Sequence, residues 1–173
     1  SKFVTFDAPA ENTILCIKSG LGSGKTHQLQ ALFEKGGQFE DKGSIALFAR
    51  NSLIYNFTDR IPSFSHLREE LMILIKDPQS RLALCTNSLK KFSNPDWFRD
   101  KVLIIDEAMS VALHIATSAT HRKNRIESLR LFSLAIEYAH SVILLDGNLT
   151  DWVVSWLASK APAKRVIKLE NRV

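Results

Sequence analysis

Ile14-Leu15-Cys16-Ile17-Lys18-Ser19-Gly20-Leu21-Gly22-Ser23-Gly24-Lys25-Thr26 is the stretch on which the fold turns. Its apolar start reads as a buried strand, its centre as a glycine-rich turn, and its end as the opening of a helix. A strand, a Gly-Lys-Thr loop and a helix in that order form an anion cradle. Glycines let the backbone curl until its N–H groups converge on phosphate oxygens. The helix N-terminus adds the positive end of its dipole. Lys25 brings a point charge suited to β- and γ-phosphates, and Thr26 a hydroxyl suited to Mg²⁺. The strict spacing asks for glycine at position 19; this chain has Ser19 there, with Gly20 beside it. Residues Ser19, Gly20, Leu21, Gly22, Ser23, Gly24, Lys25 and Thr26 are therefore expected to contact a nucleotide.

Some 80 residues on, Val102-Leu103-Ile104-Ile105-Asp106-Glu107-Ala108 repeats the logic with acids. Four aliphatics end in two adjacent carboxylates, which are costly to bury without a cation. Asp106, at the strand tip, is expected to hold Mg²⁺, usually through water. Glu107 is then placed to polarise an attacking water as general base. A kinase that positions a substrate hydroxyl has no need of a water-activating Glu here; hydrolysis does.

Outward from these two motifs, short apolar runs alternate with helical stretches. Ser44–Phe48, Leu82–Cys85, Lys101–Ile105, Ser141–Leu145 and Arg165–Leu169 read as further strands. Helices are expected up to about Lys35, over Ser52–Asp59 and Leu67–Ile75, from Thr86, over Ala108–Tyr138 with a break at Ser118–His121, and over Trp152–Ser159. Gly36-Gly37 reads as a helix C-cap. The strands are near-continuous apolar runs, the pattern of strands buried on both faces. Alternation with helices implies a mostly parallel sheet with helices on both sides, an α/β sandwich. Ligands of such sheets bind beyond the carboxyl ends of the strands, where each of these candidates falls.

Composition sets the frame. The 173 residues are 45% hydrophobic and 24% charged, enough for one packed domain. Lys and Arg exceed Asp and Glu by 23 to 18, a net charge of +5 that suits a nucleic-acid partner and is equally ordinary scatter. Cys16 and Cys85 lie in apolar runs with no zinc or disulfide spacing, and read as buried reduced thiols of an intracellular protein. No apolar run approaches the roughly 18 residues that span a bilayer, and no signal-peptide pattern occurs. His121-Arg122-Lys123-Asn124-Arg125 is a basic cluster at a helix start, where cations oppose the helix dipole. That placement suits a polynucleotide backbone, a partner's acids or a solvated face. Trp97, Trp152 and Trp156 read as packing residues. An upstream aromatic, Phe3 or Phe6, is a candidate to meet an adenine ring. No interleaved basic–aromatic platform for single strands is evident.

Gly22–Thr26 together with Asp106-Glu107-Ala108 resembles motifs I and II of superfamily 2 helicases. The wider layout adds Ala49-Arg50-Asn51-Ser52-Leu53, Cys85-Thr86-Asn87-Ser88-Leu89 and Leu144-Leu145-Asp146-Gly147-Asn148-Leu149-Thr150-Asp151. Over residues 12 to 155 it resembles the ATPase core of origin-binding replication helicases, the family that includes herpesvirus origin-binding and cyanobacterial plasmid replication proteins. The resemblance implies a RecA-like P-loop NTPase domain spanning 1–173 that binds ATP with Mg²⁺ and serves a DNA-replication motor. It implies DNA as partner, single-stranded or origin DNA, with Arg50, Thr86 and Ser88 on the phosphate backbone. Asp146-Gly147-Asn148 occupies the motif III position but departs from the usual Ser-Ala-Thr, and Asn148 is a candidate sensor that hydrogen-bonds the γ-phosphate or the attacking water. The resemblance implies a first motor domain of a longer protein whose second RecA-like domain supplies an arginine finger, so that this domain alone turns over slowly. A cytoplasmic protein is expected, or a nuclear one in a eukaryotic virus. Two alternatives compete: an AAA+-type initiator with Asn148 as sensor, and a nucleotide-gated scaffold without hydrolysis.

Overall fold

A computed structural model describes residues 4–20, 22–66, 77–92, 94–118 and 121–170. Seven strands are found among them: β1 (Thr13–Lys18), β2 (Ser44–Phe48), β3 (Ser65–His66), β4 (Arg81–Cys85), β5 (Val102–Asp106), β6 (Ser141–Asp146) and β7 (Arg165–Glu170). They form one sheet in the order β3-β4-β2-β5-β6-β1-β7, and every paired strand runs parallel to its neighbour. Five α-helices are described: α1 (Lys25–Phe33), α2 (Asn51–Arg60), α3 (Ala108–Thr117), α4 (Arg125–Tyr138) and α5 (Asp151–Ser159). Two short 3₁₀ segments, Thr86–Lys91 and Pro95–Phe98, complete the set. The helix expected over Leu67–Ile75 lies outside the described residues.

The apolar runs make this a three-layer structure because successive residues of a strand face opposite ways. Ile14, Ile45, Leu103 and Val142 join a core with α3, α4 and α5. Their neighbours Leu15, Ala46, Ile104 and Ile143 join a second core with α1 and α2 on the other face. Both sides of the central strands are thus covered, as the parallel arrangement requires. The edge strand β7 departs from the expected pattern. Its residues are exposed or half-buried, because it has a partner on one side only, β1.

Helix α1 stops two residues short of the expected Lys35: Glu34 is already extended (φ −75°, ψ 169°). The chain must reverse tightly here. A Cβ on Gly37 would lie 2.3 Å from the Ala31 carbonyl oxygen, so only glycine passes. That reversal is held by Arg81 at the start of β4. Its guanidinium donates to the carbonyls of Phe33, Phe39, Glu40 and Lys42, at 2.6 to 3.2 Å. Arg81→Met should leave these acceptors unmatched and cost about 2 kcal/mol. Urea denaturation would measure it, and a loss below ~0.5 kcal/mol would mean that Arg81 does not hold this turn.

Candidate active site

The carboxyl ends of β1, β5 and β6, three adjacent strands, deliver the loop 19–26, the pair Asp106-Glu107 and the turn Asp146-Gly147-Asn148 to one place. The loop is joined to β6 by Ser19, whose N–H donates to the Asp146 carbonyl at 3.3 Å. Gly147 lets the two approach: a Cβ there would lie 3.3 Å from the Ser19 carbonyl oxygen. Gly22 and Gly24 adopt φ of 72° and 77°, the left-handed backbone that the curl demands. Gly24 then caps α1 at its amino end.

Within this frame a cavity of about 870 Å³ opens. Ser19, Gly22, Ser23, Gly24, Lys25, Thr26, Asp106, Glu107 and Asn148 all line it, as expected. Gly20 is not among the lining residues; its carbonyl accepts from the Lys25 ammonium at 3.0 Å, and Ser19 supplies a second, shorter contact to the same ammonium. Leu21 lies outside the described residues. Burial pulls the Lys25 ammonium below its ordinary range, and Asp106 and Asp146 pull it back up. Asp106 is pushed up to about 6, chiefly by burial, against the N–H of Glu107 that donates to its Oδ1 at 3.0 Å.

Glu107 is held at φ 50°, an uncommon backbone for a side chain of this size. Beside it, the Asp146 carboxylate accepts two backbone hydrogen bonds. Met109, in the first turn of α3, donates its N–H to Asp146 Oδ2 at 2.9 Å, and Asn148 donates its own to Oδ1 at 2.8 Å. One buried carboxylate thus fastens the start of α3 and the β6 turn to each other. No role for Asp146 is read from the sequence, yet it bears the same signal as Asp106, an acid closing an apolar strand. His27 and Gln30 on α1, and Asn56 and Arg60 on α2, extend the lining beyond the motifs. No spacing rule marks them, because two helices brought side by side create that wall.

The arrangement suits a polyphosphate and a hard cation. Ser19 and Ser23 are buried (2% and 6% exposed), and their hydroxyls have no hydrogen-bond partner among the described residues. Buried hydroxyls normally find partners, and phosphate oxygens at the loop would provide them. The donor set for a cation is Thr26 Oγ1 with the Asp106 carboxylate, both oxygen ligands of the kind Mg²⁺ takes.

The expected nucleic-acid residues divide. Arg50 is exposed at the amino end of α2, and Ser88 is half-buried in the 3₁₀ turn after β4. Thr86 does not reach the surface. It is fully buried, and its hydroxyl lies between His114 Nδ1 (2.8 Å) and His121 Nε2 (3.0 Å). His121 likewise leaves the basic cluster for the interior, at 2% exposure. Phe6 is no adenine platform: it is 5% exposed and part of the α1–α2 core, while Phe3 lies outside the described residues. Trp152 is not packed, with 58% of its surface exposed.

Comparison with known proteins bears on the fold and the family. The Sulfolobus solfataricus SWI2/SNF2 ATPase core, solved in complex with dsDNA, superposes with a TM-score of 0.53 at 12% sequence identity. It matches 90% of this chain and 40% of its own, so the fold is that of a helicase-type ATPase core. The replication origin-binding protein of Psittacid herpesvirus 1 (isolate Amazon parrot/-/97-0001/1997) is 26% identical over 170 residues, covering 94% of this chain. This chain spans 19% of that relative's length. None of the described helices is long and apolar enough to cross a membrane. Residues 1–171 match the family described as origin of replication binding protein, and with that match covering nearly the whole sequence, the chain belongs to this family.

Proposed function

We propose that this domain binds ATP with Mg²⁺ and hydrolyses it as the first motor domain of a DNA-replication helicase or origin-binding replication protein. The observation that carries the reading is the meeting of Lys25 and Asp106, 81 positions apart, on one cavity at the carboxyl end of the sheet. The loop N–H groups, Ser19, Ser23 and Lys25 would hold the β- and γ-phosphates. Thr26 and Asp106 would hold Mg²⁺, which supplies neutralisation of phosphate charge when bound. Glu107 accepts the proton of the attacking water on its carboxylate. Asp146 keeps Glu107 in register by gripping the backbone two residues on, and Asn148 reports on the γ-phosphate from the same turn.

The relative's origin-binding role and the DNA bound by the SWI2/SNF2 core support DNA as partner, single-stranded or at an origin. Arg50 and Ser88 then touch the phosphate backbone. A second RecA-like domain of the same protein supplies the arginine finger, so that this domain alone turns over slowly. The protein acts in the cytoplasm, or in the nucleus where its source is a virus of eukaryotes.

The direct test is ligand-dependent stability. Mg·ATP at about a hundred times its dissociation constant should stabilise the domain by roughly 2.7 kcal/mol. Thermal unfolding would register this as a saturable rise in melting temperature. No rise with Mg·ATP, or an equal rise with Mg²⁺ alone, would refute nucleotide binding here.

A further inference from the structure

Away from the cavity, four side chains, three buried and His114 half-buried, form an unbroken hydrogen-bonded chain. Thr86 Oγ1 bridges His114 Nδ1 and His121 Nε2, and His121 Nδ1 meets Ser128 Oγ at 2.9 Å. The two imidazoles stand edge to face, 5.1 Å apart. A hydroxyl has one proton to give, so Thr86 donates to one histidine and accepts from the other. Both rings and Ser128 are therefore locked in one common donor direction. Thr86, His121 and Ser128 are all buried, so none of these bonds is readily replaced by water.

The chain's position gives it meaning. Thr86 begins the 3₁₀ turn after β4, His114 belongs to α3, and Ser128 to α4. Helix α3 starts immediately after Glu107, and Met109 is gripped by Asp146. His114 lies seven residues from Glu107, about 10 Å along the helix at 1.5 Å per residue. The same short helix is thus tied to the cavity at one end and to Thr86 towards the other.

Cationic side chains adjoin His121 in space and in sequence. Lys90, on the 3₁₀ turn, and Arg125, on α4, both act electrostatically on His121, along with His114. Burial is the larger cause, and together these hold His121 below its ordinary range. Arg122 and Lys123 are exposed between His121 and α4. Arg125 donates to the Ser118 carbonyl at 2.7 Å, while its buried Nε has no partner among the described residues. Among the described residues, no ion pair engages Lys90, Arg122 or Lys123.

We infer that Thr86, His114, His121 and Ser128 are positioning residues: they fix Lys90, Arg122 and Lys123 as one phosphate-backbone contact for a polynucleotide and tie that contact, through α3, to the nucleotide site. This rests on the ATP-driven reading of the cavity. Thr86 becomes the hidden support of a surface contact instead of the contact itself.

The experiment compares Thr86→Val, Thr86→Ser and the double variant Arg122→Ala/Lys123→Ala with wild type in the full-length protein. ATP turnover is titrated with single-stranded oligonucleotide at two salt concentrations. Thr86→Val keeps the shape and removes the hydroxyl, and should raise the oligonucleotide concentration for half-maximal stimulation about tenfold. Thr86→Ser should return it to within about twofold of wild type. The double variant should weaken binding and reduce the slope of log affinity against log salt by about 1.4, roughly 0.7 for each lost phosphate contact on a single strand. Wild-type stimulation at unchanged half-saturation in Thr86→Val would overturn the positioning role. An unchanged salt slope in the double variant would overturn the surface. If Thr86→Val fails to fold, the serine variant and the salt slope still decide. Failure of the ATP reading itself would show differently, as absent turnover in wild type.

Discussion

Glu107→Gln is expected to lower ATP turnover by a factor of about 10² to 10⁴, while Mg·ATP affinity stays within about threefold of wild type. The range is that of a positioned general base, because the amide keeps the shape and loses the proton acceptor. Affinity should survive because, on the proposed reading, the phosphates would be held by other groups, the loop backbone and Lys25. The Lys25 ammonium is itself held by the Ser19 and Gly20 carbonyls, not by Glu107. The backbone survives too. Glu107 sits at φ 50° beside the grip of Asp146 on Met109, and neither partner changes. Single-turnover hydrolysis and equilibrium nucleotide binding separate the two quantities. Turnover within threefold of wild type would dismiss Glu107 as the base. A parallel collapse of affinity would make it a binding group instead.

The central layer of this structure was readable in the chain because burial on both faces leaves a plain imprint: unbroken runs such as Ile45-Ala46-Leu47-Phe48 admit few charges. The glycine-rich loop was equally readable, since Gly22 and Gly24 occupy backbone angles closed to most residues. Positions that depend on tertiary approach left weaker traces. Thr86 comes after a strand as a surface contact would, yet α3 folds across it and turns its hydroxyl inward. His121 shares a basic run with Arg122 and Lys123, and only its pairing with Thr86 and Ser128 separates it from them. Asp146 offered the same signal as Asp106 but had no neighbouring acid to draw notice, although it fastens two elements of the site. Edge strand β7 carries Val166, Ile167 and Leu169 like a core strand, yet only Ile167 and Leu169 pack against the core, on one face.

Asp106→Asn should move stability and activity in opposite directions. Burial raises this carboxyl from 3.8 to about 6, so the fold favours its protonated form. By linkage, the stability from this group is full below pH ~4 and is lost as pH rises through about 6. At pH 7.5, without divalent cation, the ionised carboxylate costs at most about 3 kcal/mol, from roughly 1.36 kcal/mol per pH unit. Asparagine carries no charge, and its Oδ1 can still accept from the Glu107 N–H. In chelator the variant should therefore be more stable than wild type at pH 7.5, with the gap closing towards pH 4. Chemical denaturation at the two pH values measures it. The same change removes the one carboxylate proposed to hold Mg²⁺ beside Thr26, so turnover should fall at least about a hundredfold, and Mg²⁺ should cease to strengthen ATP binding. A carboxylate retained at such a cost to the fold makes physical sense only if a cation relieves it in the working state. An Asp106→Asn variant that gained no stability in chelator would break that link. One that kept Mg²⁺-dependent turnover would remove the metal site from Asp106.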